Sequence, residues 1–292
     1  MASTPSQDTI GLLHPPQHDV EGMLNHAAGS AVTQQAPSSP SRSGLPIKHN
    51  LFGVRISQTS YGEAADLIMQ AARERRSMLV DHMPVHGLIE ACQDQSLNEK
   101  MNHFDIVAPD GQPVRWALNR LYKTRLADRV YGPELMLRLC RQAEREGVGI
   151  YLYGSQSTVL EQLQQHLRRR FPRLRIAGAE SPPFRPLTPE EDQAVVARIN
   201  QSGAGLVFLG LGCPKQEHFA YDHREQIKGV QLCVGAAFDF HAGCKKMAPA
   251  WMQRNGLEWA FRLMTEPRRL WQRYLRTNSL FIFKVIRHEL GM

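Results

Sequence analysis

The chain has 292 residues, enough for one large α/β domain or two smaller ones. Its 42% hydrophobic and 22% charged content is that of a globular protein, and no apolar run approaches the roughly 20 residues that would span a bilayer. The formal net charge of +7 lies wholly in residues 245–292, which hold ten Lys/Arg against three Glu and no Asp.

Residues 1–46 are rich in Ser, Pro, Gln, Ala and His, lack helical or strand periodicity, and read as a disordered leader without a secretory signal. From Leu51 onward, short apolar runs alternate with amphipathic segments. The expected strands are SMLVDH (77–82), FDIVAPD (104–110), GIYLYG (149–154), LRIAGA (174–179), GLVFLGLG (205–212) and VQLCVGAAFDF (230–240). Between them the pattern predicts helices in PELMLRLCRQAEREG, in STVLEQLQQHLRRRF, and in PEEDQAVVARINQ behind the capping box Thr188-x-x-Glu191. Apolar strands alternating with helices imply a mainly parallel, Rossmann-like α/β sheet covered on both faces. Such sheets bind ligands at the carboxyl ends of their strands.

Three sequence constellations fall at such ends. In Asp110-Gly111-Gln112-Pro113 a strand finishes in an aspartate just before a helix. A carboxylate there can take a proton from a hydroxyl, or it can simply cap the helix, and spacing does not separate the two. In Gly210-Leu211-Gly212-Cys213-Pro214-Lys215-Gln216-Glu217 two glycines allow close backbone approach by a ligand. Pro214 pre-sets a helix start whose N–H groups favour phosphate oxygens, and Lys215 adds a point charge. Gly235-Ala236-Ala237-Phe238-Asp239 again follows a strand and can close the same pocket, with Gly154-Ser155 as a weaker companion.

Residues 245–292 form a fourth. They hold Trp251, Trp259 and Trp271, three of the four tryptophans, and end in PRRLWQRYLRTNSLFIFKVIRHEL. Cations interleaved with aromatic and aliphatic side chains suit a surface that is anionic outside and apolar beneath, as a membrane face is. Pro267 separates two helical stretches, across which Arg262, Arg269 and Arg273 can converge on a diphosphate; the alternative is a solvated basic helix with ordinary core tryptophans.

Other features carry less. His82 and His86 straddle a strand–helix junction without the Glu of a zinc-protease helix, and no D-x-D appears in residues 47–244. No metal is therefore expected. Cys92, Cys140, Cys213, Cys233 and Cys244 are scattered without C-x-x-C spacing, which fits a reducing cytoplasm. The run RRRFPRLR (168–175) reads as a helix end and its loop, and no nucleic-acid-reading module accompanies the basic charge.

In order, PDGQPVRW, GLGCPKQEHF, GAAFDFHAGCKKMAPAWM and GLEWAFRLMTEPRRLWQRY resemble the WecG/TagA/CpsF family of bacterial glycosyltransferases, glycosyltransferase family 26, over about residues 50–276. The resemblance implies a Rossmann-like domain of the GT-E type over 47–244 and a basic helical appendage over 245–292 that closes the site at the membrane. It implies an inverting transfer from a UDP-sugar to a saccharide on a polyprenyl diphosphate, in exopolysaccharide or cell-surface polysaccharide synthesis, and the missing acidic pair makes that transfer metal-independent by expectation. By the same resemblance Asp110 is the base. The resemblance likewise implies that the segment with Gly210, Gly212, Pro214, Lys215, Gln216 and Glu217 holds the nucleotide sugar and that Arg262, Arg269 and Arg273 contact diphosphate; Gly154, Ser155, Gly235, Phe238 and Asp239 are expected beside that segment from their strand-end turns. The expected location is cytoplasmic, peripheral on the inner face of the membrane, with a homo-oligomer possible.

One departure stands out. Where the family commonly has T-x-N-x-x-H, this chain reads Asp81-His82-Met83-Pro84-Val85-His86, with Met83 at the Asn position. A donor other than N-acetylmannosamine, such as a glucosyl or glucuronosyl group, is then plausible. The alternative functions are a non-catalytic nucleotide-sugar or lipid-binding protein and a basic nucleic-acid binder.

Overall fold

The computed structural model describes residues 44–291, so the expected leader falls almost entirely outside the described residues. The strands are β1 (Lys48–Leu51), β2 (Val54–Ser57), β3 (Met78–Met83), β4 (Ile106–Pro109), β5 (Ile150–Gly154), β6 (Ile176–Glu180), β7 (Leu206–Gly210) and β8 (Val230–Cys233). Helices α1 (Tyr61–Arg73), α2 (Val85–Gln93), α3 (Gln95–Met101), α4 (Gln112–Tyr122), α5 (Gly132–Glu146) and α6 (Ser157–Arg170) fall in the first part of the chain. They are followed by α7 (Pro189–Gln201), α8 (Lys215–Asp222), α9 (Ala237–His241), α10 (Ala250–Arg254), α11 (Glu258–Thr265) and α12 (Pro267–Glu289).

Six strands form one all-parallel sheet in the order β4-β3-β8-β7-β5-β6, the α/β Rossmann-like architecture that the alternating pattern predicts. Side chains alternate across it with the period of two that a strand imposes. Val80, Ile106, Leu152, Phe208 and Leu232 enter the core beneath α1, α5, α6 and α9. Leu79, Val107, Tyr151, Val207 and Cys233 enter the opposite core, which α2, α3, α4, α7, α8 and α12 cover. Because both faces are buried, the strands read as continuous apolar runs, and each fully buried Leu or Ile contributes about 1.5–3 kcal/mol.

Local signals set the ends of the elements. Thr188 and Glu191 make the expected reciprocal cap at the start of α7. Before the sheet, β1 and β2 pair antiparallel around Phe52-Gly53, both at positive φ, a hairpin too short for periodicity to reveal. The run 230–240 is not one strand as expected. It stops at Cys233, where Val234 and Gly235 both donate to the Leu209 carbonyl oxygen, and Gly235 at φ 49° redirects the chain into α9. Apolarity continued through that segment, but a glycine in the left-handed region ends the ladder.

Residues 44–291 form one compact unit. Pro267 divides α11 from α12, as expected, and α12 packs along α2, with Phe281 edge-on to Phe52 at 6.0 Å. Arg120 of α4 ion-pairs with Glu289 at the far end of α12. No helix among the described residues is long and apolar enough to cross a membrane.

Candidate active site

One cavity of about 960 Å³ opens over the carboxyl ends of β4, β3, β8 and β7. Its floor is strand ends and the loops after them; its far wall is α11 and α12.

Asp110 sits on the floor immediately after β4. It does not cap α4, whose N-cap is Gly111 without a side-chain bond; instead its Oδ2 accepts the Gly132 N–H at the start of α5, 3.1 Å away. Asp110 is therefore not the cap of the helix that follows it but serves the first N–H of α5, and it lines the cavity. Burial pushes its pKa up to about 6; Arg129 opposes that rise, Glu258 adds to it, and the Gly132 N–H and Arg262 oppose it more weakly. A carboxylate at that value is ionised at neutral pH, yet far more basic than a surface aspartate.

Beside it on the floor lies a second acidic feature. Asp81 near the end of β3 and Glu217 in the first turn of α8 are both buried, and with Cys233 their potential ligand atoms lie within 4.8 Å of one another. Burial and the neighbouring Glu217 raise the Asp81 pKa well above the carboxylate range, so the protonated Asp81 carboxyl donates to Glu217. Two carboxyls so close in a dry floor cannot both ionise. Gln216 Nε2 donates to Glu217 Oε1 at 2.9 Å, while Asp81 Oδ1, Glu217 Oε2, Gln216 Oε1 and His82 Nε2 have no protein partner. His82 is held neutral, with burial lowering its pKa to about 4 and Nδ1 3.1 Å from the Cys233 carbonyl oxygen. The acidic trio is the one group of described residues whose donors could hold a metal ion, though a protonated Asp81 and a buried thiol favour a proton-sharing pair over a charged ion cage.

The wall carries the opposite charge. Arg262, Arg269 and Arg273 all line the cavity, converging across Pro267 as the spacing allowed. Arg269 ion-pairs with Glu266, and Arg262 lies 5.9 Å from the Phe240 ring centre. Arg273 is half-buried, its Nε lacks a partner, and burial with the crowding of Arg269 and Arg262 lowers its pKa. Converging guanidiniums with an unfilled donor suit a doubly charged oxyanion group. Beyond them the cavity turns apolar, between Phe281, Val285 and Ile286 of α12 and Trp116 and Ala117 of α4.

Of the residues expected from sequence, the cavity brings together Asp110, Gly210, Gly212, Gln216, Glu217, Gly235, Asp239 and the three arginines. Gly154, Ser155, Pro214, Lys215 and Phe238 do not line it. Gly154 is needed where β5 meets β7, since a Cβ there would lie 2.5 Å from the Gly210 carbonyl carbon. Phe238 is a core side chain, and its ring explains Gly210, where a Cβ would meet it at 2.5 Å. Lys215 is exposed outside the cavity. Met83 is buried and reaches the cavity edge beneath α2.

Sequence reasoning missed Asp81, Arg129 and Glu258. Asp81 had a signal, because SMLVDH carries an acid next to its end much as FDIVAPD ends in one. Arg129 had none: it lies in a loop outside any periodic element, and the fold alone brings it to the cavity wall. Glu258 Oε2 accepts from Arg129 Nη2 at 2.6 Å, and the guanidinium stacks 4.2 Å from the Tyr131 ring centre.

Residues 49–292 match the sequence model of the glycosyl transferase WecG/TagA/CpsF family, and the chain belongs to that family.

Proposed function

We propose that the protein transfers a hexosyl group, with inversion, from a UDP-sugar to a sugar hydroxyl on a polyprenyl-diphosphate-linked saccharide, in the assembly of a bacterial exopolysaccharide or cell-surface polysaccharide. The observation that carries this reading is the single cavity in which Asp110, a carboxylate of raised basicity, faces Arg262, Arg269 and Arg273. Asp110 takes the proton of the acceptor hydroxyl as its oxygen attacks the anomeric carbon. The bond from that carbon to UDP breaks, and the electron pair leaves on the diphosphate. Backbone N–H groups around Gly212 and the arginines offset that charge, so that the transfer needs no divalent ion.

Asp81, His82 and Gln216 line the cavity and each keeps a buried polar atom without a protein partner, which supports a role for them in reading hydroxyl groups of the donor sugar. Met83 offers only a thioether where relatives commonly present an amide, which supports a glucosyl or glucuronosyl donor over N-acetylmannosaminyl. The acceptor diphosphate sits at the arginines and its lipid runs toward the membrane. Exposed Trp251, Trp271, Leu275 and Phe283 among basic residues support attachment of the tail to the inner face of the membrane.

The test is a panel of radiolabelled UDP-sugars offered with a short-chain lipid-diphosphate saccharide. Transfer from one donor with inverted anomeric configuration supports the reading. UDP binding without turnover of any donor would make the protein a nucleotide-sugar binder instead.

A further inference from the structure

Arg129 belongs to the core, yet its partners come from the tail. Its Nη2 donates to Glu258 Oε2 at 2.6 Å and to Gln253 Oε1 at 3.4 Å, and both side chains of the ion pair are nearly closed to water, at 7% and 14% exposure. The loop holding Arg129 is fixed against the base: Val130 N–H donates to the Pro109 carbonyl oxygen at 2.9 Å, and Gly132 N–H donates to Asp110. Next to Glu258, Gly256 at φ 71° lies flat on the Trp116 indole, where a Cβ would approach to 2.5 Å. The turn between α10 and α11 is thus seated closely on α4 and on Arg129 together.

We propose that Glu258 is a positioning residue that engages Arg129 and so keeps its guanidinium from holding Asp110 weakly basic. The inference rests on Asp110 as the base. Its physical ground is one cation shared by two carboxylates: Arg129 hydrogen-bonds Glu258, and the loop that carries Arg129 is hydrogen-bonded to Pro109 and to Asp110 itself. With Glu258 present the cation is shared; without its carboxylate Arg129 has Asp110 alone, and a nearby guanidinium holds a carboxylate ionised and weakly basic. The other groups facing Asp110 are Arg262 of α11, Tyr61 of α1, Tyr131 beside Arg129, and Asp81 of β3. Burial raises both tyrosines far beyond neutrality and keeps Asp81 protonated, so among these only Arg262, also on the tail, adds charge.

The experiment is the pH dependence of kcat/KM for the full chain and four variants, with UDP affinity and a cooperative melt measured for each. The wild type should lose activity as pH falls through about 6, and Asp110→Asn should abolish that limb along with most turnover. Glu258→Gln should move the limb down by about one unit and lower the plateau several-fold, because removing the anion leaves Arg129 to Asp110. Arg129→Gln should move the limb the other way, upward. The double variant should recover the plateau lost in Glu258→Gln, since no cation then remains to hold the base. Opposite shifts and this rescue are not produced by mere loosening of the tail. A limb unmoved in Glu258→Gln, or a double variant no more active than Glu258→Gln, overturns the proposal. A limb that persists in Asp110→Asn overturns the base assignment itself.

Discussion

The sheet-and-helix part of the chain and its last 47 described residues solve the problem of apolar surface in opposite ways. In the first, strands and helix faces close on one another, and the exposed large apolar side chains between Gly44 and Cys244 are Ile47, Trp116 and Phe184. In the second, Met252, Leu270 and Phe281 are buried while Trp251 is 55% and Trp271 51% exposed, with Leu275, Ile282, Ile286 and Leu290 also open. Trp271, Leu275 and Leu290 recur at the spacing of one helical face, which Ile282 and Ile286 continue at the rim of the cavity. An amphipathic helix that buries one stripe inward and leaves another apolar stripe outward among cations has the composition of an interfacial helix. The core holds the buried carboxyls of the cavity floor; the tail brings the positive charge of its wall.

The sharpest way to break this division is at Asp110. Substitution by Asn should lower turnover by about two orders of magnitude or more, the scale of general-base loss, with UDP affinity and the melt kept. Near-normal turnover would remove the core's claim to the chemistry. Next in size is the outward stripe. A Trp271→Ser/Leu275→Ser double variant should fold normally, since neither side chain is buried or lines the cavity, yet bind acidic liposomes at least about tenfold more weakly. Unchanged sedimentation would mean that the stripe faces something other than lipid.

Stability separates the two faces of α12 more finely. Phe281→Ala should cost about 3 kcal/mol in urea unfolding, as for a buried aromatic, whereas Trp271→Ala should stay within about 0.5 kcal/mol. Equal costs would show that the outward tryptophan has a partner within the fold. The smallest expected effect is that of EDTA. If the tail arginines supply the charge that the leaving diphosphate needs, transfer survives chelation; loss restored by Mg²⁺ or Mn²⁺, and absent in Asp81→Asn, would move that task to the acidic floor.

The sequence by itself determined the parallel sheet, because strands buried on both faces must be apolar throughout and the helices between them must be amphipathic. It also determined the site's edge: an acid or a glycine at the end of a strand is visible as a break in an apolar run, which is how Asp110, Gly210 and Gly235 are found. The charge of the tail was legible because it is a sum, needing no contacts. The hairpin at Phe52-Gly53 was not, since four-residue strands carry too few alternations to be read. What tertiary structure alone decided is who meets whom. Asp81 and Glu217 are 136 positions apart and Arg129 and Glu258 are 129 apart, so no periodicity links them. Their protonation and pairing follow from desolvation and from neighbours supplied by other elements, and these exist only once the chain has packed.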